Sequence, residues 1–194
     1  MADPVAWREP VTVADAKKRL GVRTDHRDDE IAQLIKAARG MVEDFTGRAL
    51  VRRTFVEPLA GFGGSPVRLG HAPVHSVTAV RYLDAAGNLV DVAPAPRVLA
   101  LAVGSCVFPA AGAAWPVLPT PGYVEVEFVA GYGPGEDGEP DDAEPAPDQL
   151  VQAILLLVGN WFENHEGAVV GSGVVELPFG VRELCRSFRP AGIC

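Results

Sequence analysis

The sequence predicts an α+β protein, a small helical bundle with an inserted, mainly antiparallel β-rich lobe. Three observations carry that expectation. Apolar residues recur at helical spacing across residues 1–50 and again across 147–190, the two halves of the expected bundle. Residues 51–132 switch to short runs rich in Val, Thr and aromatics broken by Gly and Pro, which marks the inserted lobe. Residues 133–146 carry clustered acids, Pro and Gly with little to bury, so a flexible acidic loop is expected there.

The elements follow in chain order. Thr12 and Asp15 have the spacing of a capping box, opening a short helix that Gly21 ends near Leu20. A second helix starts within Asp25 to Glu30, where acids suit the positive end of the helix dipole. Its stripe of Ile31, Leu34, Ile35, Ala38, Val42 and Phe45 faces a core, and Gly47 stops it. In the lobe, Ser76 to Leu83 alternates as a strand does, and Asp84 to Asn88 supplies the turn of a hairpin. Val124, Val126 and Phe128 alternate with Glu125 and Glu127, giving one buried face and one wet or partner-facing face. Residues 93–120 show only scattered strand signals. The segment from Pro147 to Gly167 is apolar nearly all round and is expected at the centre of the bundle. A last helix sets Val181, Leu184, Cys185 and Phe188 on one stripe and Arg182, Arg186 and Arg189 on the other.

Composition excludes several classes. At 194 residues and 48% hydrophobic, the chain can bury one good core, or a core with a satellite lobe. No fully apolar run is longer than Ala153 to Val158, far below the roughly 20 residues of a membrane span, so no membrane partner is expected. The N-terminal "MADPVAWREP" lacks the basic and apolar regions of a secretory signal, and three scattered cysteines read as buried or incidental thiols, which together suggest a reducing cytoplasm. A net charge of −8, from 17 basic and 25 acidic residues, argues against a free-standing nucleic-acid binder. It does not exclude a conduit, since a pore through which DNA must slide works better if its wall does not grip phosphates.

No constellation of catalytic residues emerges, and the expectation is a protein that is not an enzyme and holds no cofactor and no metal. His71 and His75 stand at metal-ligand spacing, but Pro73 between them forbids the helix such a pair needs. His165 beside Glu166, near Glu163, has no nucleophile motif nearby and reads as a polar helix end. The glycines of Gly61 to Ser65 lack the Lys-Ser/Thr of a phosphate loop. A helix-turn-helix reading of the first two helices fails because the second opens on Asp28, Asp29 and Glu30, where DNA contact demands cationic or base-reading groups. Trp161 and Phe162 are either core residues or anchors of a subunit interface. Arg182 to Arg189 carries a local charge of +2 (three arginines less Glu183), the mark of a docking surface or of a solvated face.

Three segments in this order, "EPVTVADAKKRLGV" with "DDEIAQLIKAARGMVEDFTGRAL", the strand "YVEVEFVAGYG", and "PDQLVQAILLLVGNWFENHEG" with "VVELPFGVRELCRSFRP", resemble the head-tail connector, or adaptor, proteins of tailed bacteriophages and phage-like gene transfer agents. The resemblance spans most of the chain and rests on packing patterns. It implies a structural virion protein made in the bacterial cytoplasm, a subunit of a ring at the head-tail junction that joins the portal to the tail and extends the DNA channel. It further implies a portal protein, a tail-side neck or stopper protein and other copies of the chain as partners, the ring being dodecameric in the particle, with DNA passing through unread. Arg182, Leu184, Arg186, Phe188, Arg189, Trp161 and Phe162 are the expected portal or subunit interface. The short tail "AGIC" after Pro190 departs from any relative that docks through a long C-terminal extension. The rival readings are a small enzyme or ligand-binding module with its site between lobe and bundle, and a different virion part such as a decoration or stopper protein.

Overall fold

Four helices and seven strands are present among the residues that the computed structural model describes, which are 9–63, 66–101, 104–133, 144–164 and 178–189. Helix α1 (Val13–Leu20) starts as its sequence dictates, with the Asp15 backbone N–H donating to Thr12 Oγ1 at 3.1 Å and the Thr12 hydroxyl to Asp15 Oδ2 at 2.6 Å. Gly21 closes it in the left-handed region. Helix α2 (Asp28–Thr46) opens on three acids and ends at Gly47, also left-handed. Ile31, Ile35, Ala38 and Val42 are fully buried along it. Helix α3 (Asp148–Glu163) buries Leu150, Ala153, Ile154, Leu157 and Val158, and its flanking Val151, Leu155, Leu156, Trp161 and Phe162 pack onto the same cluster. Helix α4 (Phe179–Arg186) adds Val181 and Cys185. Burial pushes the free Cys185 thiol up to about 11.

Between α2 and α3 lie the strands, in two antiparallel sheets. The larger has the order β1 (Arg53–Leu59), β7 (Val124–Ala130), β3 (Val74–Leu83), β4 (Leu89–Asp91). The smaller has the order β2 (Val67–Leu69), β6 (Gly104–Phe108), β5 (Arg97–Leu101). Strand β7 is central, and its alternation is complete: Val124, Val126, Phe128 and Ala130 are all fully buried. They share one core with Val67 and Leu69 of β2, Val107 of β6 and Val80 of β3, so the sheets pack face to face. The expected hairpin forms between β3 and β4, where Asp84 Oδ1 accepts from the backbone N–H of Ala86 and Asn88. The scattered strands expected in residues 93–120 are in fact a paired β5–β6 hairpin followed by an irregular stretch, with Trp115 stacked on Phe62 at 4.5 Å. Cys106 on β6 takes part in a disulfide, against the expectation of a buried thiol.

Bundle and lobe meet where residues 47–53 cross two other segments. The Ala49 N–H donates to the Ala72 carbonyl at 2.9 Å and the Ala72 N–H to the Gly47 carbonyl at 3.1 Å. Tyr132 N–H donates to Ala49 O and Arg52 N–H to Tyr132 O, at 3.2 and 2.9 Å. Glycine is required at 131: its φ is 125°, and a Cβ there would lie 2.3 Å from the Val51 carbonyl oxygen. At the same crossing the Glu43 carboxylate, 6% exposed, accepts from the Leu50 N–H at 2.7 Å, from Arg39 Nη1 at 2.8 Å and from both terminal nitrogens of Arg53 at 3.1 and 3.2 Å. Arg39 also donates to Glu9 at 2.8 Å.

The acidic loop expected at 133–146 falls mostly on residues 134–143, outside the described residues. Its two ends are joined, Gly133 N–H donating to Glu144 O at 2.9 Å.

Two substitutions test the crossing. Gly131→Ala must move backbone, and is expected to cost on the order of 3 kcal/mol, whereas Gly40→Ala in α2, where a Cβ meets nothing within 4 Å, should be neutral or stabilising by up to about 1 kcal/mol. Thermal melts of the two variants side by side check the contrast. Glu43→Gln strips two arginines of their shared counter-charge and should lose about 2–4 kcal/mol, read by urea unfolding.

Candidate interaction surface

Two surfaces carry exposed chemistry that the fold itself does not use. The first is the outer side of α4. Its apolar stripe turns inward: Val181 and Cys185 are fully buried, and Leu184 and Phe188 are half-buried against the helical core. The opposite stripe is left to solvent, with Phe179 79% exposed and Arg182 and Arg186 three and seven residues further on, hence on the same helix face. Arg186 makes one long contact to Glu183, 3.9 Å. Arg189, just past the helix, lies over the Phe45 ring at 4.9 Å, a cation–π contact that ties the segment to α2.

The sequence places these residues on two stripes and gives the apolar one to a partner. The structure gives that stripe to the protein's own core. Phe179 is the residue sequence reasoning missed. It stands at the first position of the helix, outside the stripe that the heptad-like spacing selects, and only the direction in which α4 docks on α3 leaves it uncovered. Trp161 and Phe162 both pack on the helical core, half-buried, and the Arg27 guanidinium sits 3.9 Å over the Phe162 ring.

The second surface is the outer face of the larger sheet. Since Val124, Val126, Phe128 and Ala130 point to the lobe core, Glu125, Glu127 and Val129 of β7 point away from it. Pairing sets Val56 and Pro58 of β1, Ala79 and Arg81 of β3, and Leu89 and Asp91 of β4 beside them. Arg81 stands amid three carboxylates, at 3.1 Å from Glu125, 3.0 Å from Glu127 and 3.3 Å from Asp91. One cation among three anions leaves the face net negative. Hydrogen bonds to Glu125 and Glu127 raise the Arg81 pKa further, so it stays charged. Val56 (55% exposed) and Leu89 (45%) add apolar area at the two margins. Among the described residues no helix packs on this face.

The other candidate sites are occupied by structure. His71 stacks on Phe55 at 4.0 Å, and burial holds its pKa below the usual histidine value; His75 Nε2 lies 2.6 Å from the Gly131 carbonyl oxygen. The two imidazoles serve different contacts. Among the described residues no group of His, Cys, Asp and Glu is arranged to hold a metal. A groove of about 840 Å³ runs along α1, but its Lys17 is already bonded to both Asp25 and Asp28. Lobe and bundle meet through backbone ladders and the Glu43 cluster, and where the rival reading puts a ligand site a recess of about 360 Å³, lined by Leu50, Tyr132, Gly133 and Val151, has its Glu9 carboxylate already bonded to Arg39. His165, Glu166, Gly64 and Ser65 lie outside the described residues.

Comparison with known proteins follows the same lines. No protein-family model matches the chain, and no curated protein matches its sequence. Solved structures do. A chain in the neck of an empty gene transfer agent particle, computed with sixfold symmetry, is 28% identical with a TM-score of 0.74, over all of this chain and 95% of that one. A chain in the virion of a native gene transfer agent particle is 30% identical (TM-score 0.71, all of this chain and 95% of that one). A chain in the neck of the native particle, computed with twelvefold symmetry, is also 30% identical, at TM-score 0.71, over all of this chain and 94% of that one.

The inward turn of the α4 stripe has a measurable consequence. Phe188→Ala should lower stability by roughly 1–3 kcal/mol, since part of an aromatic side chain leaves the core, whereas Arg186→Ala should leave the melting temperature within about a degree. Calorimetry of the two variants decides it.

Proposed function

The chain belongs to the neck, or head-tail connector, proteins of phage-like gene transfer agent particles, and on that footing we propose that it is the adaptor subunit that joins the portal to the tail and extends the DNA channel. The observation that carries the proposal is the likeness along the whole chain, at 30% identity and TM-score 0.71, to a chain of a native neck computed with twelvefold symmetry. A part that fits a whole neck chain end to end is a neck subunit and not a module borrowed from elsewhere.

In this reading copies of the chain form a ring, twelve to the particle, with the portal on one side and a tail-side neck or stopper protein on the other. The role is structural, without turnover, and DNA passes without sequence-specific contact. Physical support comes from three features. The junction between bundle and lobe is cross-linked by backbone hydrogen bonds and a buried carboxylate, so each subunit acts as one stiff piece. The net charge of −8 keeps a channel wall from holding phosphates. The C-terminal helix offers a contact surface to the portal or an adjacent subunit: Arg182, Arg186 and Arg189 form its cationic side, while Leu184, Phe188, Trp161 and Phe162 hold the helix and the end of α3 in place from the core side.

Deletion of the gene in a particle-producing cell tests the assignment. Heads should assemble and tails should assemble, but the two should not join, and complementation should restore joined particles carrying a ring at the neck by electron microscopy. Tailed particles that deliver DNA without the chain would overturn it.

A further inference from the structure

We infer that the contact between neighbouring copies in the ring is made by the outer stripe of α4 from one copy lying on the outer sheet face of the next. The inference rests on the ring reading above and adds the two surfaces through which the ring closes. A cyclic assembly of more than two subunits needs a head-to-tail contact, in which two different and complementary patches of one chain meet around the ring. The described surface holds such a pair. One is a helix stripe with an exposed aromatic, Phe179, followed by Arg182 and Arg186. The other is an open sheet face with three carboxylates, Glu125, Glu127 and Asp91, around Arg81, flanked by exposed Val56 and Leu89.

The match is one of sign and of chemistry. The sheet face keeps a net negative charge after Arg81 has taken its share, and the helix stripe brings two cations whose neighbour Glu183 engages only one of them, at 3.9 Å. Guanidinium groups bind carboxylates in a planar fork, so Arg182 and Arg186 are suited to pair with Asp91, whose side chain is 77% exposed, and with the partly exposed Glu127. Phe179 supplies the apolar anchor, and Val56 or Leu89 the surface on which it is buried. The pairing is not made within one copy, where α4 packs on α2 and α3 and the sheet face points away from the core of its own lobe. Both surfaces are thus left for a neighbouring copy.

Photocrosslinking in assembled particles tests this. With p-benzoylphenylalanine at position 179, irradiation of purified particles should give a ladder of multimers of this chain, and the linked peptides should map to β1, β7 or the β3–β4 hairpin. Separately, Arg182→Glu with Arg186→Glu should reduce incorporation into particles at least tenfold, as should Glu127→Lys with Asp91→Lys. The four changes combined should recover most of it, since the charges are exchanged and not lost. Linked peptides from another particle protein, or from a different surface of this chain, would overturn the inference and leave the neck assignment standing. Failure of the combined variant to recover, in protein whose melting temperature is normal, would also overturn it. Absence of the unaltered chain from purified particles would instead defeat the adaptor reading itself.

Discussion

The buried carboxylate of Glu43 holds together the two halves of this protein, and the rest of the architecture depends on it. It lies in the last turns of α2, yet it accepts from the Leu50 N–H and from Arg53, the first residue of β1, while Arg39 of its own helix binds it from behind. A carboxylate in so little contact with water is tolerable only with all its lone pairs engaged. The sequence meets that demand with two arginines and a backbone amide. From Arg53 the chain of contacts runs into the lobe: its guanidinium lies 4.6 Å over the Phe55 ring, and Phe55 stacks on Phe128 at 5.6 Å. Bundle and sheet are thus joined through a polar pivot embedded in packed side chains.

The backbone supplies the second fastening. Residues 47–53, 72–73 and 131–132 exchange hydrogen bonds in a small ladder, close enough that position 131 has no room for a side chain. For a subunit of a particle neck such a joint has a clear mechanical value. A lobe hinged on a single flexible linker would transmit little force or orientation to its neighbours, whereas one fixed at several points by short bonds moves with its bundle. The polar groups of this junction are spent on the joint, and the recess of about 360 Å³ beside it, lined by Leu50, Tyr132, Gly133 and Val151, has its Glu9 carboxylate bonded to Arg39.

Charge is distributed by element. The outer sheet face gathers carboxylates around one arginine, while α4 presents arginines to solvent, and each surface is stable alone because its charges are partly exposed. Pairs of this kind add little to folding, but they select the orientation of a partner and the rate at which it is met. An aromatic beside them supplies the affinity that exposed ion pairs lack. In the proposed contact between copies, these charges would thus add more to assembly than they add to the stability of the single chain.

Much of the architecture was legible from local signals. The caps at Thr12, Gly21 and Gly47, the buried stripe of α2, the apolar centre of α3, the hairpin at Asp84–Asn88 and the alternation in β7 are all decided by short-range spacing, and the structure has each of them where the pattern puts it. The pairing of β5 with β6 was not, because β5 is an edge strand with Val98 and Leu99 both exposed, so no face-to-face alternation marks it. Glu43 was equally hidden: on α2 it reads as a solvent-facing acid, and its partners lie 4, 7 and 10 residues away across a change of secondary structure. The C-terminal helix shows the division most clearly. Its periodicity alone determined that it has an apolar and a cationic side. Which side remains available to a partner was settled only when α4 docked on the bundle, because hydrophobic burial is satisfied by the nearest matching surface, and periodicity carries no information about where that surface lies.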